Sequence, residues 1–171
     1  MLAPEVPMSH SLAGEPPVAG RHAVPLTDPP YSAAEWDLLA NLPSWTVVVA
    51  VTQASGQQGV AAGLAGLDAV AAGRSFDSDL VRAVVATIYA RHDGSASAPG
   101  GPLADTARLL AVARTAARLL ERADPADSAA YRQWVQSVAA RVCRAGSNRG
   151  GAVARGDRRL LDRLGDALGL G

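Results

Sequence analysis

The chain contains no lysine: its sixteen basic residues are all arginine, set against sixteen acidic ones. The formal net charge is therefore zero, and a neutral chain lacks the long-range attraction of a dedicated nucleic-acid binder. The missing lysine, with the surplus of Ala, Gly and Arg, reads as the mark of a GC-rich bacterial genome rather than as a functional signal. One cysteine, Cys143, excludes an internal disulfide and any multi-cysteine metal cage; its place on the flank of an apolar stripe predicts an inert, half-buried thiol. No apolar run approaches the ~18 residues that a membrane span needs. No basic region followed by an apolar core marks a secretory signal, so a soluble cytoplasmic protein is the expectation. Aromatic residues are few, three Trp, three Tyr and one Phe, so the core must come from close helix packing over alanine rather than from bulky side chains.

The chemistry-bearing patterns are equally thin. His10, His22 and His92 lack a second ligand at helical or loop spacing, which argues against a histidine metal site. His92 and Asp93 are adjacent and point apart, and His92 fits a helix end whose carbonyls favour a cation. Asp77 and Asp79, beside Ser75 and Ser78, read as the start of a helix. There is no Gly-x-Ser-x-Gly elbow, P-loop or dinucleotide fingerprint, and the glycine-rich stretch Gly146 to Gly151 follows a helix, not a strand. The sequence thus predicts no catalytic, cofactor-binding or metal-binding residue.

What is present is helical periodicity. The stretch from Asp124 to Gly146 opens with a capping aspartate and Pro125 at the first helical position. Tyr131, Trp134, Val135, Val138 and Val142 then recur at three- and four-residue steps as one apolar stripe, with Arg132, Gln133, Gln136, Arg141 and Arg144 on the other side. Upstream, residues 1–30 hold seven of the eleven prolines and no apolar period, which predicts a flexible, partly extended tail. Residues 31–171 then form one domain. Ser32 and Glu35 make a capping box for a short helix carrying Trp36 and Leu39, expected to end at Pro43. Trp45 to Gln53 looks strand-like locally. With no second strand to pair with, it is read as a buried helix.

After a turn at Ser55 to Gly59, Val60, Leu64, Leu67 and Val70 or Ala71 mark the next helix, ending at Gly73; Gly63 and Gly66 weaken it unless a neighbour packs closely there. A helix from Phe76 carries Leu80, Val81, Val84, Val85 and Ile88 inward, and Ser95 to Gly101 is a loop. Pro102 to Arg122 turns Leu109, Val112, Ala113, Ala116 and Leu120 inward, and Arg155 to Leu168 does so with Leu160, Leu161, Leu164 and Leu168. The prediction is an all-α domain of seven helices, anchored by Trp36, Trp45, Tyr131, Trp134, Leu160 and Leu164.

Two stretches share a layout. Trp45, a turn at Ser55-Gly56, then Val60, Gly63 and Leu67 match Trp134, a glycine-rich turn, then Val153, Gly156 and Leu160. The spacings suggest two helix–turn–helix halves about a pseudo-twofold. Over residues 43–73 and 131–169 this layout resembles the TerB-like, tellurite-resistance-type helical proteins. That family has Asp-Gly turns followed by an early Glu, which the resemblance implies is a cation site. Here the turns read Ser55-Gly56 and Ser147-Asn148-Arg149-Gly150, and Ala62 and Arg155 stand near the acid positions. The resemblance implies the architecture and not the metal.

Arg114, Arg118 and Arg122 stand at four-residue steps as one basic ridge, and Arg149, Arg155, Arg158, Arg159 and Arg163 form a second cluster. Glu121, Asp124, Asp157, Asp162 and Asp166 interleave with them, so solvated faces are favoured over an anion or nucleic-acid surface. The resulting expectation is a non-enzymatic helical module that binds a protein partner, in a bacterial stress-response or assembly setting, with the tail as tether and self-association open. The alternatives are a small-ligand binder or enzyme with a site between the similar halves, and anion or nucleic-acid binding by the Arg ridges.

Overall fold

The computed structural model describes residues 30–52, 54, 57–93, 105–147 and 153–171. The expected tail, apart from Pro30, lies outside the described residues. So do the loop Ser95 to Gly101, part of the turn Ser55 to Gly59 and most of the glycine-rich loop. The described residues form six α-helices and two short 3-10 turns, with no strand: α1 (Ala33–Val51), α2 (Gln57–Ala71), α3 (Asp79–Asp93), α4 (Thr106–Leu119), α5 (Pro125–Gly146) and α6 (Arg155–Leu168). The 3-10 turns, Ala72–Ser75 and Leu120–Arg122, follow α2 and α4. Helix α5 is the axis, packed against α1, α2, α3 and α6, while α4 lies against α1 and α6.

The sequence predicts α5 as it is. Asp124 caps it by accepting from the Ala126 N–H at 2.9 Å, and Tyr131, Trp134, Val135, Val138 and Val142 have no exposed surface. Tyr131 and Trp134 meet edge to face at 5.9 Å, and the Trp134 indole N–H donates to the Ala69 carbonyl at 3.3 Å. Leu160, Leu164 and Leu168 of α6 are buried beside α5, and α6 closes on Gly169 in the left-handed region (φ 71°). In α4, Leu109, Ala113 and Ala116 are buried, followed by Leu120 in the 3-10 turn.

Six helices stand where seven were expected because Pro43 does not end the first one. Ser32 and Glu35 form the capping box, and α1 then runs straight through Pro43 to Val51. An interior proline has no N–H for the carbonyl four residues back and costs a helix about 3 kcal/mol. That carbonyl belongs to Leu39, and the buried Tyr131 hydroxyl donates to it at 2.6 Å. One turn on, the Thr46 hydroxyl donates to the Leu42 carbonyl at 2.8 Å, also in the interior. The break at Pro43 is thus repaired by the Tyr131 side chain, and the strand-like run from Trp45 becomes the last turns of α1.

Helix α2 forms where expected, but of the apolar residues that mark it only Val70 is buried. Val60, Leu64 and Leu67 are exposed, whereas Ala62, Gly66, Ala69 and Val70 face the interior. The cause is distance. A Cβ at residue 66 would lie 2.6 Å from Val47 Cγ1 and 3.0 Å from Val142 Cγ2, so α2 sits too close to α1 and α5 for large side chains between them. A Cβ at Gly73, in the turn after α2, would lie 2.7 Å from Val85 Cγ2 and 2.8 Å from Trp134 Cε2. Gly66 and Gly73 are therefore required by close approach. Gly63, where an added methyl meets nothing within 4 Å, is not.

The contact between Tyr131 and Leu39 makes a specific prediction. Tyr131→Phe keeps the ring and strands a buried carbonyl, at a cost of about 1–3 kcal/mol. Pro43→Ala restores a backbone donor to that carbonyl. In a double-mutant cycle by urea unfolding, the Tyr131→Phe loss is expected to shrink markedly in the Pro43→Ala background. Equal losses in the two backgrounds would show that the hydroxyl does not stand in for the missing N–H.

Candidate interaction surfaces

The basic ridge does not survive as a unit. Arg114 and Arg118 are exposed on α4 and line an open groove of about 540 Å³ with Arg132, Glu121 and Asp166. Arg122 leaves the ridge because α4 gives way to a 3-10 turn at Leu120, which changes the angular step between residues. It pairs with Glu35 at 2.8 Å and lies over the Tyr31 ring at 5.3 Å. Arg155 and Arg159 are exposed on α6 and do not line this groove. Three guanidinium groups facing two carboxylates give a mixed field, not a focused positive one.

Arg132 was expected on the outer side of α5, and the structure corrects this. Its two terminal nitrogens donate to the carbonyls of Leu168 (3.1 Å) and Ala117 (3.0 Å), while Nε is buried without a partner. A cation between the C-terminal ends of α6 and α4 meets the negative ends of both helices, so Arg132 is structural.

The two remaining tryptophan anchors are half-buried. Trp36 donates to the Thr87 hydroxyl at 3.3 Å and stacks near Tyr31, while the Trp45 indole N–H is buried and unpartnered. Ser78 is the working cap of α3. Its hydroxyl accepts from the Val81 N–H at 3.2 Å and donates to Asp127 at 2.6 Å, and Asp79 pairs with Arg82. His92 Nδ1 lies 2.7 Å from the Ile88 carbonyl, a helix-end contact in the Nδ1-protonated tautomer. The two matched stretches differ in burial: Leu160 is in the core, whereas Leu67, its counterpart by spacing, is exposed.

The surface that sequence reasoning missed is the outer face of α2. Val60, Leu64 and Leu67 retain 67%, 60% and 63% of their surface in solvent, and they stand at i, i+4 and i+7. Periodicity identified this stripe, but it cannot tell inside from outside when the opposite face is Ala and Gly. On α1, Val48 is a further exposed large apolar residue, 47% exposed. The only charged residue of α2 is Asp68, which borders a groove of about 380 Å³ lined by Arg141 and Arg144 of α5.

Among the described residues no group of three or more His, Cys, Asp or Glu could hold a metal ion, and no helix is long and apolar enough to cross a membrane. Comparison with protein-family models, curated proteins and solved structures gives no match.

Among the described residues one acid is buried. Asp157, in the first turn of α6, is buried, and burial raises its pKa above the ordinary carboxylate value. Cys143 is also buried. Burial first, and the nearby Asp157 charge second, push its thiol up to about 12, so it stays protonated and unreactive. For Asp157 the sign follows from linkage: the unfolded carboxyl ionises first as pH rises, so stability falls through the carboxylate range and remains lowered at neutral pH. Asp157→Asn is therefore expected to melt higher than the natural chain at pH 7, with the gain vanishing near about pH 3, where both carboxyls are protonated. A variant that melts lower at pH 7 would show that the charge is stabilised where it stands.

Proposed function

We propose that the chain is a non-enzymatic helical interaction module whose protein partner seats on the outer face of α2. One observation carries this reading. Three large apolar side chains are each about two-thirds exposed in a single stripe, on a helix whose only charge lies at the edge. Clustered exposed apolar surface of this kind marks association sites, whereas scattered single residues do not. The mixed charge around Arg114 and Arg118 weighs against a nucleic-acid surface, which draws its affinity from unopposed cations. Residues 1–29, with six prolines, extend the module's reach as a tether. The TerB-like resemblance supports a bacterial stress-response or assembly setting.

A photo-crosslinking amino acid at position 64, activated in the native cell, tests the surface directly. The expected outcome is a protein adduct of discrete mass that is lost on Leu67→Asp and kept when Arg114 and Arg118 are changed to Gln. Absence of any protein adduct, together with salt-sensitive nucleic-acid binding that the Arg114→Gln/Arg118→Gln chain loses, would transfer the function to the basic groove.

A further inference from the structure

Val60, Gly63, Leu64 and Leu67 occupy the outward side of α2, and their spacing reads three, one, three in both directions along the helix. Turned end for end about a twofold between positions 63 and 64, the stripe falls on itself. Val60 then lies opposite the partner's Leu67, and Leu64 lies opposite the partner's Gly63. We infer that the occupant of this face is a second copy of the chain, joined as an antiparallel α2–α2 pair. The inference rests on the reading of this face as a protein-binding surface and names its partner.

Three observations support self-pairing over another occupant. The first is shape. Gly63 costs the helix stability relative to alanine, and inside the chain nothing uses the space it leaves, in contrast to Gly66 and Gly73. In the twofold pair that space receives the partner's Leu64, so each copy supplies both a projection and the gap that accepts it. This is the self-complementarity that an isologous interface demands. The second is position. Helix α2 runs from 57 to 71, so a twofold beside its midpoint overlaps nearly its whole length, about 22 Å.

The third is charge. No charged residue occurs from Gln57 to Leu67, so like charges do not meet across the axis. Asp68, the first, falls opposite the partner's Gly59, at the start of a helix whose first turn carries no acid. A carboxylate is favoured at that positive helix end. One helix face per copy is smaller than the ~800 Å² per partner of a standard stable interface, so the pair is expected to be weak and concentration-dependent.

Sedimentation of the full chain from about 1 to several hundred µM reads the association directly. A monomer–dimer equilibrium is expected, with Leu64→Asp monomeric throughout and its circular dichroism and melting unchanged, since Leu64 is exposed. Gly63→Ala separates the two roles of that position. It should raise the melting temperature of the dilute chain through helix propensity, yet weaken association about tenfold by filling the gap under the partner's Leu64. In a Cys143→Ala background, Val60→Cys mixed with Leu67→Cys should form an interchain disulfide that Val60→Cys alone does not.

A chain that stays monomeric at every concentration overturns the inference, as does a dimer indifferent to Leu64→Asp or one that cross-links 60 to 60. A monomer that still gives an adduct of unlike mass from position 64 removes the second copy and leaves the binding face standing. Loss of both signals removes the face as well.

Discussion

A single hydrogen bond holds the plan of this domain together. Pro43 deprives the Leu39 carbonyl of its donor in the middle of a nineteen-residue helix, and the Tyr131 hydroxyl supplies one from 92 positions away. Because the repair comes from the side, α1 stays continuous and carries Val47 to the place where Gly66 can meet it. Tyr131 is itself fixed by its edge contact with Trp134, whose indole binds the Ala69 carbonyl and packs over Gly73. Burial holds the Tyr131 phenol well above its ordinary pKa, so the proton that does this work is retained throughout the neutral range. One polar contact thus ties α1 to α5 and, through Trp134, to α2.

Arginine carries much of the remaining polar architecture, and in ways that use its planar fork. Arg132 bridges two helix ends, Arg122 pairs with Glu35 and lies over the Tyr31 ring, and Arg74 lies 3.8 Å over the Tyr89 ring. Arg91 pairs with Asp37 across α3 and α1. A flat, delocalised cation can stack on a ring and donate in two directions at once, which an ammonium group does poorly. One of the guanidinium groups that suggest a surface ridge in the sequence, Arg122, is thus committed to holding helices in place.

The legible parts of the sequence are those where bulk and burial coincide. Tyr131, Trp134 and Val138 in α5, and Leu160 and Leu164 in α6, announce their inner faces because the large residues are the buried ones. Where small residues line the interior the same signal inverts: α2 turns Ala62, Gly66 and Ala69 inward and leaves Leu64 and Leu67 outside. The hint was present in the cost of Gly66, which only a close neighbour explains, but Gly63 carries the same local cost without that neighbour. Pro43 misleads for a related reason. Its local rule holds, and the compensating hydroxyl lies too far along the chain for any window to contain it. The candidate face was visible as a stripe and invisible as a surface, since exposure depends on what stands opposite.

The pairing of α2 with α5 also has a bearing on the order of events during synthesis. The first two helices leave the ribosome with their interior faces unfinished. The partner for the Leu39 carbonyl, the indole that covers Gly73 and Val142, the second valine against Gly66, all belong to α5, which begins more than fifty residues after α2 ends. Until α5 is made, these interior contacts of α1 and α2 have no partner. Native packing of α1 and α2 therefore depends on a helix made much later, a long-range dependence in an architecture whose backbone hydrogen bonds are nearly all local.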